Sequence, residues 1–332
     1  MKGNQETRRD KSILHPDNCM DLVRITENAA LACYNQAGLG NEHDADLAAV
    51  TSIRNDLNQL PINGRIVIGE GTRDQAPMLF IGEIVGQNSN QGLAEEIDIA
   101  LDPLEGTTLC AHFKPGSFSV VCFAPRGVLL QAPDVYMEKI VVGPNINPTE
   151  ISLDNSTTQN LKYIQSQCGI KPNDLIVTVL NRPRHEKLIT EIRQFGAKVR
   201  LIQDGDISAS IRVGKNTENN EIYMGSGGAP EGVIAASALK FFGGNIKGRL
   251  LFKNENQKDE ARKLGFTQFN QELTTDDMVK GDSVFCASGV TDGDILPGVT
   301  KITANKLAVH SLITYSKCQT MRYIESSYIN NS

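Results

Sequence analysis

IDIALDPLEGTT, at residues 97–108, is the stretch of this sequence that says most about the fold. Its apolar beginning, residues 97–101, predicts a buried strand that runs straight into Asp102. Asp102 and Glu105 place two carboxylates at the end of that strand, and Gly106 lets the backbone approach a ligand closely. The residues after it can open a helix, whose first amides would favour a phosphate. This pattern suits a hard divalent cation beside a phosphate, and the alternative is an acidic turn in water.

Other acidic residues also lie at the ends of predicted elements. Glu70 follows a predicted strand, residues 65–69, and stands between two glycines. Asp46 lies near the start of a predicted helix, residues 44–60, and Glu231 opens another helix after a glycine-rich run. Acids in such positions can converge on one cleft, and their oxygen atoms suit Mg²⁺ or Mn²⁺.

Two polar segments that follow predicted strands are candidates for binding an anion and its sugar. NRPRH, at residues 181–185, follows the apolar run 175–180, and its two arginines can grip a phosphate bidentately. DGD, at residues 204–206, follows the run 198–202, and its acids can accept hydrogen bonds from sugar hydroxyls. Each segment also has a plainer interpretation, a solvated loop for the first and a tight turn for the second.

The predicted elements group into a tail and two lobes. Residues 1–16 are predicted as a flexible tail, residues 17–150 as a metal-binding lobe, and residues 151–332 as a Rossmann-like lobe that binds sugar phosphate. Alternating strands and helices predict a parallel sheet in the second lobe, and the last strand-like runs can return to the first. A PRG turn at residues 125–127 predicts a hairpin between the apolar runs that flank it.

Composition excludes several classes of protein. The 332 residues are 40% hydrophobic and 22% charged, which is ordinary for a globular protein. A net charge of −6 argues against a nucleic-acid partner, which would need clustered Lys and Arg. No apolar run is long enough to span a bilayer, and the polar start lacks the apolar core of a secretory signal, so no membrane partner is expected. Seven widely spaced cysteines indicate reduced thiols in the cytoplasm or a plastid stroma, with a regulatory disulfide left open.

Taken together, these segments resemble the class II (GlpX-type) fructose-1,6-bisphosphatases, which belong to the lithium-sensitive, metal-dependent phosphatase superfamily. The matching stretches keep the family's order over nearly the whole chain, and they are IVIGEGTRDQAPMLFIGE (66–83), IDIALDPLEGT (97–107), APDVYMEK (132–139), RPRH (182–185), DGD (204–206) and GSGGAPEG (225–232). RPRH and the run at residues 191–211 look most like the cyanobacterial and plastid-type members, several of which also accept sedoheptulose 1,7-bisphosphate.

The resemblance implies a fold, an activity and an assembly. The fold would be a layered α/β/α/β/α sandwich, an α/β protein with α+β layers. The activity would be metal-dependent hydrolysis of the 1-phosphate of fructose 1,6-bisphosphate, giving fructose 6-phosphate in gluconeogenesis or the Calvin cycle, with sedoheptulose 1,7-bisphosphate as a second candidate substrate. Family members of this kind form homodimers or homotetramers.

The resemblance also implies the role of individual residues. The metal ligands would be Asp46 and Glu70 for one cation, Mg²⁺ or Mn²⁺, and Asp102, Glu105 and Glu231 for a second. The scissile phosphate would contact Glu105, Gly106 and Thr107. The sugar phosphate would contact Tyr136, Arg182, Pro183, Arg184, Asp204, Gly205, Asp206 and Gly228. Asp74 would act as the base or orient the attacking water, together with the hydroxyl of Thr107.

Two positions depart from the family pattern. Glu42 stands where members usually carry a Lys, and Thr72 replaces the second Glu of a G-E-G-E run. The loss of a cation near the phosphate and of an acid near the metals can change activity, metal preference or substrate. Two alternatives therefore stay open, a phosphatase for another small phosphate ester and a non-catalytic homologue. The presence of all five proposed metal acids argues against the second alternative, because clustered charge is costly to keep.

Overall fold

The protein is described by a computed structural model over residues 12–71, 78–87, 94–218 and 220–329. It divides into two compact units, one of Met1–Val128 with Asp282–Ser332 and one of Leu129–Gly281. Each unit combines a β-sheet with helices packed on it, so the fold is mixed α/β with sheets and helices in layers. None of the described helices is both long enough and apolar enough to cross a membrane.

The elements follow one another in three blocks. The first block contains α1 (Cys19–Tyr34), α2 (Glu42–Leu57), β1 (Ile62–Ile68), β2 (Ile84–Val85), β3 (Glu95–Glu105), α3 (Thr107–Ala111) and β4 (Phe118–Pro125). The second contains β5 (Tyr136–Val142), α4 (Thr157–Cys168), β6 (Ile176–Leu180), α5 (Glu186–Phe195), β7 (Lys198–Ile202), α6 (Asp206–Lys215), β8 (Glu221–Gly228), α7 (Ala229–Phe242), β9 (Asn245–Leu251), α8 (Glu255–Lys263), β10 (Leu273–Thr274) and α9 (Thr275–Met278). The last contains β11 (Val284–Gly289), β12 (Thr300–Thr303), β13 (Lys306–Tyr315) and β14 (Thr320–Ile329).

The described strands of the first unit form an eight-stranded sheet in the order β12-β13-β11-β4-β3-β1-β2, with β14 also paired to β13. Of these pairs, β1 with β3 is parallel and the others are antiparallel. Alternate residues of β3, such as Ile97 and Ile99, point into a core with Leu22 and Ile25 of α1. Burial of each such side chain contributes about 1.5–3 kcal/mol to folding, which fixes the helix on this face.

The end of the predicted tail packs against this sheet. Ile13 is buried in the core at 7% exposure, and its N–H donates to Glu95 Oε2 at 2.8 Å. The prediction of a flexible tail is therefore wrong for residues 12–16, because an apolar side chain in that segment has a place in the core. Residues 1–11 of the predicted tail lie outside the described residues.

The predicted hairpin across residues 125–127 is wrong. β4 pairs with β3 on one side and with β11 on the other, so both of its edges are already hydrogen-bonded. Beyond the turn, the residues predicted as the second hairpin strand do not join the sheet, and Leu129 makes an isolated bridge to Val279. The turn at residues 125–127 therefore leads the chain out of the first sheet.

The described strands of the second unit form a six-stranded sheet in the order β10-β9-β5-β8-β6-β7. β6 is parallel to β7 and β8, and β5, β9 and β10 pair in antiparallel fashion. The predicted parallel sheet is thus right for three strands and wrong for the others. Because β5 pairs with β8 and β9, Tyr136–Val142 belongs to this unit, and the predicted boundary at residues 150 and 151 falls inside it.

Helices cover both faces of the second sheet. Val177 of β6 and Ile222 of β8 share a core with Leu161 of α4 and Ile189 of α5. Thr178 of β6 points to the opposite face, where α6 and α7 pack against the sheet. This second face also carries the buried ion pair described below.

Candidate functional site

Three of the predicted metal acids come together in the first unit. β1 and β3 pair in parallel with Ile68 opposite Ala100, so Glu70 and Asp102, each two residues further on, reach the same edge of the sheet. Asp46 lies in the second turn of α2, which packs against β3. Parallel pairing therefore gathers carboxylates that lie far apart in the sequence.

The electrostatics of these acids show how close they lie. Burial, together with the negative charges of Asp46 and Asp102, raises the pKa of Glu70 to about 8. Glu70 also donates a hydrogen bond to Asp46. Burial raises the pKa of Asp46, although this hydrogen bond and the nearby His43 lower it. Burial and the two neighbouring acids thus favour the protonated form of Glu70, which shares its proton with Asp46 through this hydrogen bond.

The donor set of this acidic cluster is suited to a hard cation. Its atoms are carboxylate oxygens, which Mg²⁺ and Mn²⁺ prefer. Across the part of the chain that the structure describes, no group of three His, Cys, Asp or Glu side chains stands in the arrangement of a formed metal site. The fit of these residues to a cation therefore rests on two properties. Their donor atoms are carboxylate oxygens, and the carboxylates repel one another, a repulsion that a divalent cation would reduce.

Two backbone hydrogen bonds fix the chain next to Glu70. Its N–H donates to the carbonyl of Leu79 at 3.0 Å, and the N–H of Ile81 donates to the carbonyl of Gly71 at 2.9 Å. A Cβ on Gly69 would lie 2.1 Å from the carbonyl oxygen of Leu79, so this position has room only for glycine. These contacts thus hold the backbone of Glu70 just after β1.

β3 extends through the second pair of acids instead of ending at Leu101 as predicted. Its pairing with β4 shifts register between Asp102 and Glu105, so the strand bulges there. Asp102 Oδ1 accepts the N–H of Leu104 at 3.1 Å, which orients its carboxylate locally. Glu105 is 6% exposed, and its carbonyl accepts the hydroxyl of Ser117 at 3.0 Å.

The predicted helix after this strand is confirmed as the single turn α3. Gly106, which immediately precedes α3, has φ 77°, in the left-handed region that favours glycine. Thr107 Oγ1 donates to the carbonyl of Leu104 at 3.0 Å. The hydroxyl of Thr107 therefore already donates its hydrogen, and its oxygen can still accept a hydrogen bond.

The second unit brings part of the predicted sugar-phosphate set together. Arg184 lies over the ring of Tyr136, with Cζ 4.8 Å from the ring centre, and its NH2 donates to the carbonyl of Ser226 at 2.7 Å. Gly228 stands directly opposite Tyr136 across β5 and β8. Arg182 instead directs NH1 to the neighbouring carbonyl of residue 181, at 3.3 Å, and Pro183 begins the turn that separates the two arginines.

The DGD segment has a structural partner that the sequence did not suggest. Lys139 Nζ, 2% exposed, lies 2.5 Å from Asp206 Oδ2 and 2.8 Å from the carbonyl of Gly228. Asp204 Oδ1 accepts the N–H of Gly205, which has φ 88° and precedes α6. The sequence did contain a signal for this ion pair, a Lys within the mostly apolar run MEKIVV. A fully buried Lys requires a partner, so this Lys predicts an acidic residue nearby.

Several predicted site residues keep their roles only as predictions. Glu231 lies in the first turn of α7 in the second unit, whereas the other proposed metal acids lie in the first. Asp74 and Thr72 lie outside the described residues. Glu42 is exposed at the first position of α2, where a negative charge favours the helix N-terminus.

His185 forms a hydrogen bond with Ser226, the residue that also binds Arg184, and it should make the second unit sensitive to acid. Its Nε2 accepts the N–H of Ser226 at 2.9 Å, and Nδ1 donates to the carbonyl of Leu180 at 2.8 Å. Burial lowers the pKa of His185, and the carbonyl of Leu180 raises it, with Arg184 lowering it. The folded state thus favours the neutral ring, so its contribution is present above the ordinary pKa and is lost as pH falls through the lowered one.

We expect the free energy of unfolding of the wild type to fall more steeply than that of His185→Gln between pH 7.5 and pH 5, because only the wild type must protonate this buried ring. Urea unfolding at several pH values measures the difference. Parallel pH profiles of the two proteins would contradict the role given to His185.

The comparisons with known proteins agree with the sequence resemblance. A family model described as bacterial fructose-1,6-bisphosphatase, glpX-encoded, matches residues 17–328. The chain is 38% identical over 331 residues to a D-fructose 1,6-bisphosphatase class 2/sedoheptulose 1,7-bisphosphatase from Trichodesmium erythraeum, covering 93% of this chain and 95% of that protein. It is also 38% identical over 320 residues to fructose-1,6-bisphosphatase 1 class 2 from Escherichia coli, covering 92% and 94%.

Among solved structures, extragenic suppressor protein suhB from Bartonella henselae aligns over 60% of this chain and 73% of that chain. Its TM-score of 0.33 and 14% identity are too low to support a conclusion about this chain. The family match, by contrast, spans nearly the whole sequence and confirms the resemblance seen in the motifs. This chain belongs to the family of glpX-encoded bacterial fructose-1,6-bisphosphatases.

Proposed function

We propose that the protein is a metal-dependent phosphatase that releases the 1-phosphate of fructose 1,6-bisphosphate, with sedoheptulose 1,7-bisphosphate as a second candidate substrate. The observation that carries this proposal is the acidic cluster, in which the parallel pairing of β1 with β3 brings Glu70 and Asp102 to one edge of the sheet beside Asp46 of α2. Family membership supports the choice of substrate, since the relatives bear the names of bisphosphatases. The proposed setting is the cytoplasm or a plastid stroma, with the chain as a homodimer or homotetramer.

The acids would hold two divalent cations, Mg²⁺ or Mn²⁺. Asp46 and Glu70 would bind one, and Asp102, Glu105 and Glu231 would bind the other. When bound, such cations polarise the phosphoryl group, activate water and neutralise the charge that develops on the oxygens. For Glu70 to act as a ligand it must give up its shared proton, so cation binding would release a proton at neutral pH.

The chain's own residues would orient the attack. Because the Thr107 hydroxyl donates to Leu104, its free lone pairs can accept one hydrogen from the attacking water. Asp74 would take the other hydrogen as the general base. Glu105 and the backbone at Gly106, which precedes α3, would contact the scissile phosphate.

Residues of the second unit would hold the rest of the substrate. Arg184, whose guanidinium is bound by Ser226, would bind the sugar phosphate together with Tyr136, Arg182 and Pro183. Asp204 and Gly205 would contact the sugar hydroxyls. The proposed sugar contact of Asp206 must coexist with its ion pair to Lys139, which leaves its second carboxylate oxygen for the ligand.

Gly228→Ala tests the proposed role of Glu231. A Cβ at this position would lie 1.8 Å from Glu231 Oε2, so the carboxylate must move. The backbone at Gly228, with φ −63°, accepts alanine without strain, and only the flexible end of Glu231 is displaced. We therefore expect the Mn²⁺ concentration for half-maximal activity to rise about 10- to 100-fold.

In the same variant the free energy of unfolding should change by less than about 1 kcal/mol, because the added methyl group displaces only the end of a flexible side chain. Steady-state kinetics at varied Mn²⁺ and urea unfolding measure the two quantities. An unchanged Mn²⁺ requirement would contradict a ligand role for Glu231.

A panel of phosphate esters tests the proposed substrate class. Purified protein with Mg²⁺ or Mn²⁺ would be given fructose 1,6-bisphosphate, sedoheptulose 1,7-bisphosphate, an inositol monophosphate and a nucleoside monophosphate. The proposal requires kcat/KM to be highest for a sugar bisphosphate. A preference for the inositol or nucleotide ester would favour another phosphatase, and release from none of them would favour a non-catalytic homologue.

A further inference from the structure

Lys253 is a second cation at the ring of Tyr136, and neither the sequence motifs nor the family resemblance drew attention to it. Its Nζ lies 4.9 Å from the ring centre, while Arg184 Cζ lies 4.8 Å from the same centre. Among the described residues no carboxylate forms an ion pair with either side chain. Two like charges are thus held against one exposed aromatic ring.

The strand order explains why both cations reach Tyr136. β5 lies between β8 and β9, and Tyr136 stands opposite Gly228 on one neighbour and opposite Leu251 on the other. Lys253 follows Leu251 by two residues, and Arg184 is bound to Ser226 on the β8 side. The two cations therefore come to the ring from opposite sides of β5.

The backbone at Lys253 is fixed by a hydrogen bond, whereas the side chain has, within the described ranges of the chain, only the contact with the Tyr136 ring. Its N–H donates to Gln257 Oε1 at 2.7 Å, just before Asn254 caps α8. The side chain itself is exposed, and its four-carbon stem lets Nζ travel several ångströms. Arg184 is the rigid partner, since Ser226 holds its guanidinium through both a carbonyl and a hydroxyl.

An anion is the ligand that this arrangement favours. A cation lying on an exposed aromatic face is weakly held, and two cations on one ring also repel each other. A phosphate would remove that repulsion and offer charge-assisted hydrogen bonds, which are stronger than the contacts with the ring. The resting contacts with Tyr136 keep both cations near the place where such an anion would bind.

We propose that Lys253 is a specificity-determining residue, which with Arg184 and Tyr136 holds the phosphate of the substrate that is not hydrolysed. This inference rests on the proposed function, in which the scissile phosphate contacts Glu105, Gly106 and Thr107. The proposed divalent cations would neutralise the scissile phosphate, whereas the second phosphate would need positively charged side chains. Lys253 therefore distinguishes a bisphosphate from a monophosphate.

Lys253→Met tests the proposal, because methionine keeps the apolar stem and removes the charge. With fructose 1,6-bisphosphate we expect KM to rise about tenfold, equivalent to about 1.4 kcal/mol at 25 °C, with kcat changing less than about twofold. With fructose 1-phosphate, which lacks the second phosphate, the kinetic or inhibition constant should stay unchanged. Lys253→Arg should restore most of the affinity, and Lys263→Met, an exposed lysine at the end of α8, should behave as the wild type.

The outcomes separate this inference from the proposed function. Equal effects of Lys253→Met on the two fructose esters, or no effect on either, would overturn the role of Lys253 while leaving the phosphatase intact. If the wild type released phosphate from no bisphosphate, the proposed function would fail. Calorimetric binding of fructose 1,6-bisphosphate would then decide on Lys253, with weaker binding by Lys253→Met still the supporting result.

Discussion

Asp102→Asn is expected to lower kcat for metal-dependent phosphate release by about a thousandfold or more, equivalent to about 4 kcal/mol of transition-state stabilisation. The substitution removes one of the charges that would hold a cation, but it keeps an oxygen that can accept the N–H of Leu104. The fold should survive, since the lost carboxylate is one of two charges that raise the pKa of Glu70. With that repulsion gone, the metal-free variant should be at least as stable as the wild type.

Initial rates with saturating fructose 1,6-bisphosphate and Mn²⁺, together with urea unfolding, measure both effects. Asp44→Asn is the matched control, because Asp44 is an exposed acid in the first turn of α2 and takes no part in the acidic cluster. It should retain wild-type rates. Comparable rates for Asp102→Asn and the control would refute the assignment of the cluster as the reacting centre.

Lys139→Met should destabilise the protein by about 3–5 kcal/mol. The substitution leaves Asp206, whose side chain is 7% exposed, with a buried charge and no cation at 2.5 Å. It also removes a donor from the carbonyl of Gly228. The loss of stability should be large, because the attraction within a buried ion pair offsets the desolvation penalties of both charges. When Lys139 is removed, the desolvation penalty of Asp206 remains without that attraction.

A double-mutant cycle separates the pair from its surroundings. Lys139→Met combined with Asp206→Asn should be clearly less destabilised than the sum of the two single variants, because no uncompensated charge remains. Lys240→Met is the surface control, since its partner Asp276 is 83% exposed, and it should change stability by less than about 1 kcal/mol. Additive effects in urea unfolding would mean that Lys139 and Asp206 do not depend on each other.

Local signals predicted much of the fold, and pairing between distant strands decided the rest. β7 has the predicted bounds, and the apolar periodicity placed α1 and α2 within a few residues. β3 extends beyond its predicted end, because a bulge after Asp102 allows an acidic, proline-containing segment to remain paired with β4. The failed hairpin had the right turn residues, but both edges of β4 were already paired, which no local pattern reveals.

The candidate site was predictable to a similar degree. Acids at strand ends identified Glu70 and Asp102, but only the parallel pairing of β1 with β3 brings them together. Lys139 and Lys253 were missed because their importance depends on partners from other elements, Asp206 at the start of α6 and Tyr136 of β5. Sequence patterns thus reported which residues are suited to the chemistry, and strand order determined which of them meet.

The departure at Glu42 is explained by its place in the fold. It is the first residue of α2, where its negative charge interacts favourably with the helix N-terminus. The cap of this helix is Asn41, whose side chain accepts the N–H of Asp44 at 3.2 Å. Glu42 therefore has a structural reason to be acidic that is independent of any role near a phosphate.

The dependence of turnover on a divalent cation tests the central claim most directly. The protein would be stripped with a chelator, and phosphate release from fructose 1,6-bisphosphate would be followed while Mn²⁺ or Mg²⁺ is added back. We predict no release without the cation and full recovery with it, because Asp46, Glu70 and Asp102 cannot act on a phosphate by themselves. Undiminished release with the chelator still present would contradict this account.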